Sequence, residues 1–284
     1  MRISLARFAV LMTRFLSATL LAASVTGSAS ADIFIPRFMD PKVRVERPDT
    51  SPLRVIRFLT DDEFPPLHFA DPDGGLAGFS VDLARAVCDR MNLACTIQAR
   101  RFDTLLEALG EGRGDVMAAA IPLRAELRQR FAASQIYHRT PARFITAQTN
   151  ASTALTPALM DGRKVAVVEG SAHAAFLGAF FPRAERRLVA DIGAALTLLR
   201  LQQVDFVFGD AGSLALWLAG RGGAGFAFTG GPYLDSRYFG EGIAFLMRRD
   251  DQLIRRSLDY GLQQLWDDGT YAKLYLRYFP VGLY

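Results

Sequence analysis

The apolar positions along the chain follow two alternating patterns. Short apolar runs typical of buried strands occur at residues 53–59, 94–98, 116–121, 164–168, 204–208 and 243–247. Between these runs, apolar residues recur at three- and four-residue spacing, as they do on one face of a helix. Strands that alternate with helices predict an α/β fold with mostly parallel sheets.

Two stretches interrupt this alternation. Residues 60–78 contain three prolines and several glycines and predict a loop. Residues 32–52 carry four prolines among mixed charges. They predict an N-terminal tether, which either lies on the surface or stays mobile.

The first 31 residues have the composition of an export signal. They contain three arginines and no acidic residue, followed by a largely apolar run over residues 15–25 and the small-residue triplet Ala29-Ser30-Ala31. This predicts a secretory signal peptide, residues 1–31, cleaved before Asp32, and therefore a periplasmic protein. The alternative is an uncleaved anchor, but the apolar run is shorter than the roughly 20 residues of a membrane span.

Charge and composition narrow the classes of function. Loss of the signal peptide removes three positive charges and lowers the formal net charge from +4 to +1. A nearly neutral mature chain lacks the basic footprint of a nucleic-acid-binding protein. Half of the residues are apolar, as in an ordinary globular protein. The three histidines have no metal-binding spacing, and we expect neither a metal nor a cofactor.

The two cysteines, Cys88 and Cys95, are close in sequence. A close pair in an oxidising compartment usually forms a disulfide. The alternative is a pair of buried thiols.

A series of motifs then points to a family by its order and spacing. The motifs are Thr60–Pro66, Gly78–Leu83, Gly114–Met117, Val167–Ser171, Val204–Asp210 and Trp266–Tyr271. With them, residues 53–280 resemble the periplasmic solute-binding proteins of the polar amino acid uptake class, which includes the histidine- and glutamine-binding proteins. Some members of this class carry a disulfide where Cys88 and Cys95 lie.

The resemblance implies a type II periplasmic-binding-protein fold, with two α/β lobes joined by a two-strand hinge. Residues 53–142 and 240–284 would form the discontinuous lobe 1, and residues 149–237 would form lobe 2. A small polar solute, an amino acid or a related anion, would bind between the lobes, where strands end. The expected partners are this solute and the membrane subunits of an ABC transporter, and we expect a monomer.

Four candidate ligand-binding residues follow from the motifs and the strand ends. Asp210 follows an apolar strand and by resemblance meets a ligand ammonium; the alternative is a helix cap or an ion pair between lobes. Ser171 opens a helix whose N–H groups can hold an anion, and the alternative is a simple N-cap. Phe64 and Phe102 are candidates for apolar walls, with core packing as the alternative.

The chain departs from the family pattern where an arginine usually grips a carboxylate. Residues 118–123 lack the usual hydroxyl side chains, and Leu127 occupies the expected arginine position. Arg124 and Arg128 are therefore the candidate carboxylate ligands, and surface arginine is the alternative for each. His68 and His173 follow the two cleft loops and are weaker candidates.

Two other functions stay open on the same scaffold. One is a cyclohexadienyl-dehydratase-like enzyme, for which Glu169, Asp210 or Glu241 would be the general acid. The other is a periplasmic accessory or sensor protein of a quinoprotein dehydrogenase system. We favour binding without catalysis, because the chain contains no nucleophile elbow, phosphate loop or zinc motif.

Overall fold

The computed structural model describes residues 33–39, 45–152 and 154–284. The predicted signal peptide, residues 1–31, therefore lies outside the described residues, as does part of the predicted tether. Ile33–Tyr284 form one compact unit. None of the described helices combines the length and the apolarity that a membrane span requires.

The helices and strands of the first half of the chain, up to residue 133, follow the predicted alternation. They are β1 (Val55–Thr60), β2 (Glu63–Phe64), β3 (His68–Ala70), β4 (Leu76–Ala77), α1 (Phe79–Met91), β5 (Ala94–Ala99), α2 (Leu105–Gly110), β6 (Val116–Met117), α3 (Ala125–Arg130) and β7 (Phe131–Ala133).

The second half of the chain continues the alternation and then returns to the first sheet. Its elements are β8 (Ala142–Ala147), β9 (Lys164–Val168), α4 (Ala172–Phe180), β10 (Glu185–Val189), α5 (Ile192–Arg200), β11 (Phe206–Asp210), α6 (Ala211–Ala219), β12 (Phe226–Tyr233), α7 (Ser236–Phe239), β13 (Leu246–Arg248), α8 (Gln252–Asp267) and α9 (Thr270–Tyr278).

Two five-stranded sheets organise the molecule. The first has the strand order β5-β1-β6-β13-β7, and the second has the order β10-β9-β11-β8-β12. In each sheet four strands run in the same direction, and the one opposed strand is β13 in the first sheet and β8 in the second. We call the part built on each sheet the first lobe and the second lobe. The predicted α/β fold with two lobes is confirmed.

Two segments connect the lobes: residues 134–141 run outward, and residues 234–245, which include α7, return. They pair with each other at an antiparallel bridge between His138 and Ile243, where the Ile243 N–H donates to the His138 carbonyl at 2.7 Å. Because both crossings meet at this bridge, the lobes share a two-strand hinge, as the resemblance implied.

The sequence prediction missed several strands for identifiable reasons. Residues 60–78, predicted as a loop, contain the small sheet β2-β3-β4, whose strands of two or three residues are too short to show a period of two. Strand β10 has mostly exposed residues, and β12 contains a Gly-Gly-Pro sequence, so neither reads as an apolar run.

The first lobe buries its largest core between its sheet and helices α1, α8 and α9. The disulfide between Cys88 and Cys95 joins α1 to β5 in this core, which confirms the predicted pairing. The described part of the tether also packs here, because Met39 is buried in the same core and Arg37 lies over the Trp266 ring.

The C-terminal residues pack against the back of the hinge. Leu283 is fully buried, and its carbonyl accepts a hydrogen bond from Arg143 at 3.1 Å. The Tyr284 hydroxyl donates to the Arg139 carbonyl at 2.5 Å. These two bonds attach the C-terminal residues to the outward crossing at Arg139 and to β8 at Arg143.

Candidate functional site

A cavity of about 380 Å³ lies between the lobes and beside the hinge. It is bounded by loops that follow β1 and β6 of the first sheet, by the ends of β9 and β11 of the second sheet, and by the returning crossing. Ligands in open α/β sheets bind beyond the carboxyl ends of strands, and this cavity has that position.

Asp210 occupies the junction of β11 and α6 and lines the cavity. It is the N-cap of α6, and its Oδ1 accepts a hydrogen bond from the Ser213 N–H at 2.9 Å. Burial raises the pKa of the Asp210 carboxyl, against hydrogen bonds from Ser213, Gly212 and Thr140 that favour the ionised form. Among the described residues Asp210 has no basic partner. Asp210 therefore lies at the cavity, as expected of a ligand-binding residue, and it also caps a helix, which was the alternative role considered for it.

A short polar chain leads from Asp210 into the hinge. Thr140 lines the cavity and hydrogen-bonds to the Asp210 carboxylate. Its Oγ1 lies 3.1 Å from Nε2 of His138, a fully buried residue whose ring stacks on Phe279. When Thr140 donates to Asp210, His138 Nε2 must donate to Thr140. The carboxylate of Asp210 is thereby tied to the His138–Ile243 bridge.

Ser171 caps the other helix that points into the cavity. Its hydroxyl accepts from the Ala174 N–H at 3.1 Å and donates to the Val168 carbonyl at 2.6 Å. Because this hydroxyl proton is already used, Ser171 has no side-chain donor left for an anion. The N–H groups of Ala172 and His173, whose residues line the cavity, have no acceptor among the described residues.

The ring of His173 packs against Phe208 and Phe239 at the cavity wall. Burial lowers the pKa of His173 to about 4. The imidazole is therefore neutral at neutral pH and adds no charge to the cavity.

The edge that the first sheet presents to the cavity has few free polar groups. The Ala120 N–H donates to Nε2 of His68 at 2.8 Å, and the Leu123 N–H donates to the Gly242 carbonyl at 2.8 Å. Pro122 has no N–H. His68 is itself buried, and its Nδ1 faces Oδ1 of Asp61 at 3.1 Å. Its ring stacks on Phe64, which lines the cavity.

Three arginines lie near the cavity in different states. Arg124, just before α3, lines the cavity and donates to the Tyr238 carbonyl in α7 of the returning crossing at 2.6 Å. Arg128 does not line it, because Glu241 binds its guanidinium through two nitrogens. Arg139 lines it, and its buried Nε has no hydrogen-bond partner among the described residues.

The structure thus brings Phe64, Arg124, Ser171 and Asp210 to one cavity. Phe102 lies elsewhere, at the start of the turn after β5, with 54% of its surface exposed. Sequence reasoning did not single out Arg139 or Thr140. Both residues lie in the outward crossing, and the hinge brings them to the cavity. No periodic pattern of apolar residues in the sequence marks this segment.

Metal chemistry has no ready site in the described part of the chain. No group of three or more His, Cys, Asp or Glu side chains there is arranged to hold a metal ion.

Comparison with known proteins places this geometry in context. Residues 56–281 match the bacterial extracellular solute-binding proteins, family 3. The chain is 28% identical over 224 residues to the putative ABC transporter arginine-binding protein 2 of Escherichia coli, covering 79% of this chain and 90% of the relative. It is also 28% identical over 234 residues to the lysine/arginine/ornithine-binding periplasmic protein of the same organism, covering 81% and 89%.

A solved structure supports the fold independently. The second substrate-binding domain of Lactococcus lactis GlnP, in an open conformation, superposes with a TM-score of 0.71 at 17% identity. The superposition covers 86% of this chain and 99% of that domain.

Proposed function

The chain belongs to family 3 of the bacterial extracellular solute-binding proteins, and from this premise we propose that it captures a small polar solute between its lobes for an ABC transporter. The solute is an amino acid or a related small anion. The function includes no chemical conversion of the solute.

The observation that carries this proposal is a pair of opposite charges at the cavity, neither of which forms a salt bridge among the described residues. Asp210 and Arg139 both line the cavity; no basic group in the described part of the chain acts on Asp210, and Glu241 acts on Arg139 only beyond salt-bridge distance. A charge removed from water is unfavourable unless it is paired. A zwitterionic solute supplies an ammonium for Asp210 and a carboxylate for Arg139, with charge-assisted hydrogen bonds to each.

The second lobe offers further contacts to the solute carboxylate. The free N–H groups of Ala172 and His173 begin α4, and the positive end of a helix favours an anion. Support for the carboxylate would thus come from the hinge on one side and from α4 on the other. A solute bound to these groups can also pack against Phe64 and Leu67 of the first lobe, and it makes this contact fully only when the lobes approach each other.

Closure of the lobes follows from the same arrangement. Binding free energy favours the closed form because only that form has the complete set of contacts. The crossings at residues 134–141 and 234–245 would absorb the rotation. The membrane subunits of the transporter would then recognise the closed, loaded form.

The positions of the candidate acids favour binding over catalysis. Glu169 does not line the cavity, and Glu241 is paired with Arg128. Asp210, the remaining candidate, caps α6 through Oδ1, and the proposal uses its carboxylate as the acceptor for the solute ammonium. The proposal therefore assigns no general acid to the site.

A ligand screen with one variant tests this function. We expect at least one amino acid or small anion, at 100 times its Kd, to add about 2.7 kcal/mol of stability and raise the Tm by several degrees. Asp210→Asn keeps an N-cap residue for α6 but removes the charge. It should weaken binding of an amino acid about 100-fold with little change in the Tm of the empty protein.

The recovered ligand decides between binding and catalysis. Mass spectrometry should return it unchanged after incubation with the protein. A chemically altered ligand would support the dehydratase-like function instead, and a screen without any stabilising solute would favour the accessory role. We also propose that the mature protein lies in the periplasm. Osmotic shock of the native host should therefore release it together with the other periplasmic proteins.

A further inference from the structure

The ionisable residues that line the cavity carry a net positive charge. Arg124 and Arg139 supply two guanidiniums, whereas Asp210 is the single Asp or Glu side chain in the lining formed by the described residues. His173 is neutral, for the reason given above. Two oppositely charged pairs lie just outside the lining and add no net charge: Arg128 binds Glu241, which also acts on Arg139, and Arg237 binds Asp235.

The rest of the lining is mainly apolar. Aromatic and aliphatic side chains from both lobes face the cavity, namely Phe64, Leu67, Val168, Ile192, Phe208 and Phe239. An apolar wall favours a solute of matching apolar surface, because water leaves both surfaces on binding. It offers no hydrogen-bond partner to a charged or polar side chain.

Building on the proposed function, we propose that this site selects amino acids with an apolar or aromatic side chain, of net charge zero, and rejects basic amino acids. The single carboxylate of the lining is used by the α-ammonium of the solute. A second ammonium or guanidinium would then face Arg124 and apolar walls in a site of low dielectric, where repulsion between like charges is strong.

This selection differs from that of the relatives described above. The two Escherichia coli proteins are named for arginine, lysine and ornithine, whose side chains are cationic. The charge of the present lining does not suit a solute with a cationic side chain. An acidic side chain fits better than a basic one, since Arg124 retains donors beyond the one given to Tyr238.

A matched pair of ligands tests the inference on the purified protein. L-Norleucine and L-lysine have side chains of the same carbon length, and only lysine ends in an ammonium. Calorimetric titration at low salt should give norleucine or L-phenylalanine a Kd at least tenfold lower than that of lysine or L-arginine. L-Glutamate should bind more weakly than norleucine but more tightly than lysine.

A charge-reversing variant tests whether the lining arginine causes the rejection. Arg124→Glu should improve the affinity for lysine relative to norleucine by at least tenfold and weaken that for glutamate. Arg113→Glu changes the net charge of the protein equally, and Arg113 pairs with Glu111 outside the lining. It should leave the ranking unchanged, and thermal melting of each variant checks that it folds.

The outcomes separate this inference from the function on which it rests. Lysine or arginine binding more tightly than norleucine overturns the selection but keeps the solute-binding function. If Arg124→Glu leaves the ranking of affinities for lysine, norleucine and glutamate unchanged, Arg124 is not the cause of the rejection of basic amino acids. Absence of binding by every amino acid of the panel at millimolar concentration contradicts the proposed function itself.

Discussion

The two lobes use polar groups in opposite ways at the cavity. In the second lobe, Ser171 and Asp210 cap helices that point at the cavity, and N–H groups or a carboxylate remain available there. In the first lobe, the N–H of Ala120 is taken by His68, which in turn faces Asp61. The first lobe therefore presents apolar surface and the Arg124 side chain to the cavity, while the second presents helix N–H groups and a carboxylate.

This difference shows that buried polar groups serve mainly stability in the first lobe and mainly solute binding in the second. Buried polar groups that hydrogen-bond to each other, such as the Ala120 N–H and His68 Nε2, stabilise a loop but cannot bind a solute. Polar groups left without partners are available to a solute but are unfavourable in its absence. Substitutions should accordingly change mainly stability in the first lobe and mainly affinity in the second lobe and the hinge.

The largest effect is expected in the first lobe. His68→Leu leaves the Ala120 N–H without its buried acceptor and removes the imidazole that lies 3.1 Å from the Asp61 carboxyl. Loss of one partner from a buried polar pair costs roughly 3 kcal/mol, which lowers the Tm by about 6–12 °C in a chain of this size. His68→Gln, which keeps a donor and an acceptor, should recover part of this stability. Calorimetric melting measures both, and a Tm within 2 °C of the unaltered protein for His68→Leu would refute the structural role.

The next effect concerns the hinge arginine. Arg139→Met keeps the apolar stem but removes the charge that we assign to the solute carboxylate. We expect a Kd about 30-fold higher, which is about 2 kcal/mol, with the Tm of the empty protein little changed. Titration of the solute found by the screen measures the change. A matched amine that lacks the carboxylate should be insensitive to the variant, and equal losses for both ligands would count against this role.

Acid should weaken binding through the second lobe. Burial raises the pKa of Asp210 in the empty protein, so this carboxyl is protonated at a higher pH than an ordinary aspartate. Since an ammonium binds the ionised form, affinity is constant above the raised pKa and falls up to tenfold per pH unit below it. Titrations from pH 8 to pH 4 measure this slope. Asp210→Asn is the control, and an equal slope in that variant would assign the titration to another group.

A smaller effect is expected at the cap of α4. Ser171→Ala removes the acceptor for the Ala174 N–H and should cost about 1 kcal/mol of stability. Since the hydroxyl proton is donated to Val168, the solute should lose less than threefold in affinity. Chemical denaturation and titration measure the two quantities, and a tenfold loss of affinity would indicate a direct bond from Ser171 to the solute.

The smallest effect is expected at Arg128, one of the two arginines predicted from the sequence to bind the solute carboxylate. The guanidinium of Arg128 is bound by Glu241 and does not line the cavity. Because this pair is largely exposed, Arg128→Met should change stability by less than about 1 kcal/mol and the Kd by less than twofold. A loss of affinity as large as that of Arg139→Met would restore Arg128 as a carboxylate ligand.

The sequence by itself determined the α/β class, the family and the Cys88–Cys95 pairing. These features depend on local periodicity, on turn residues and on motifs that lie in order along the chain. The position of Asp210 was also readable, because a carboxylate directly after an apolar strand lies at the strand end in any such sheet. Helix caps are local as well, so Ser171 could be recognised from a few neighbouring residues.

Only the tertiary structure decided which groups remain free to bind. The contacts of Ala120 with His68 and of Arg128 with Glu241 join residues 52 and 113 positions apart in the sequence. Such pairs form because the fold brings distant segments to one place, and no local pattern encodes them. Arg139 lines the cavity for the same reason. The pairing of His138 with Ile243 joins two crossings that are distant in the sequence, and this pairing fixes the position of the Arg139 backbone.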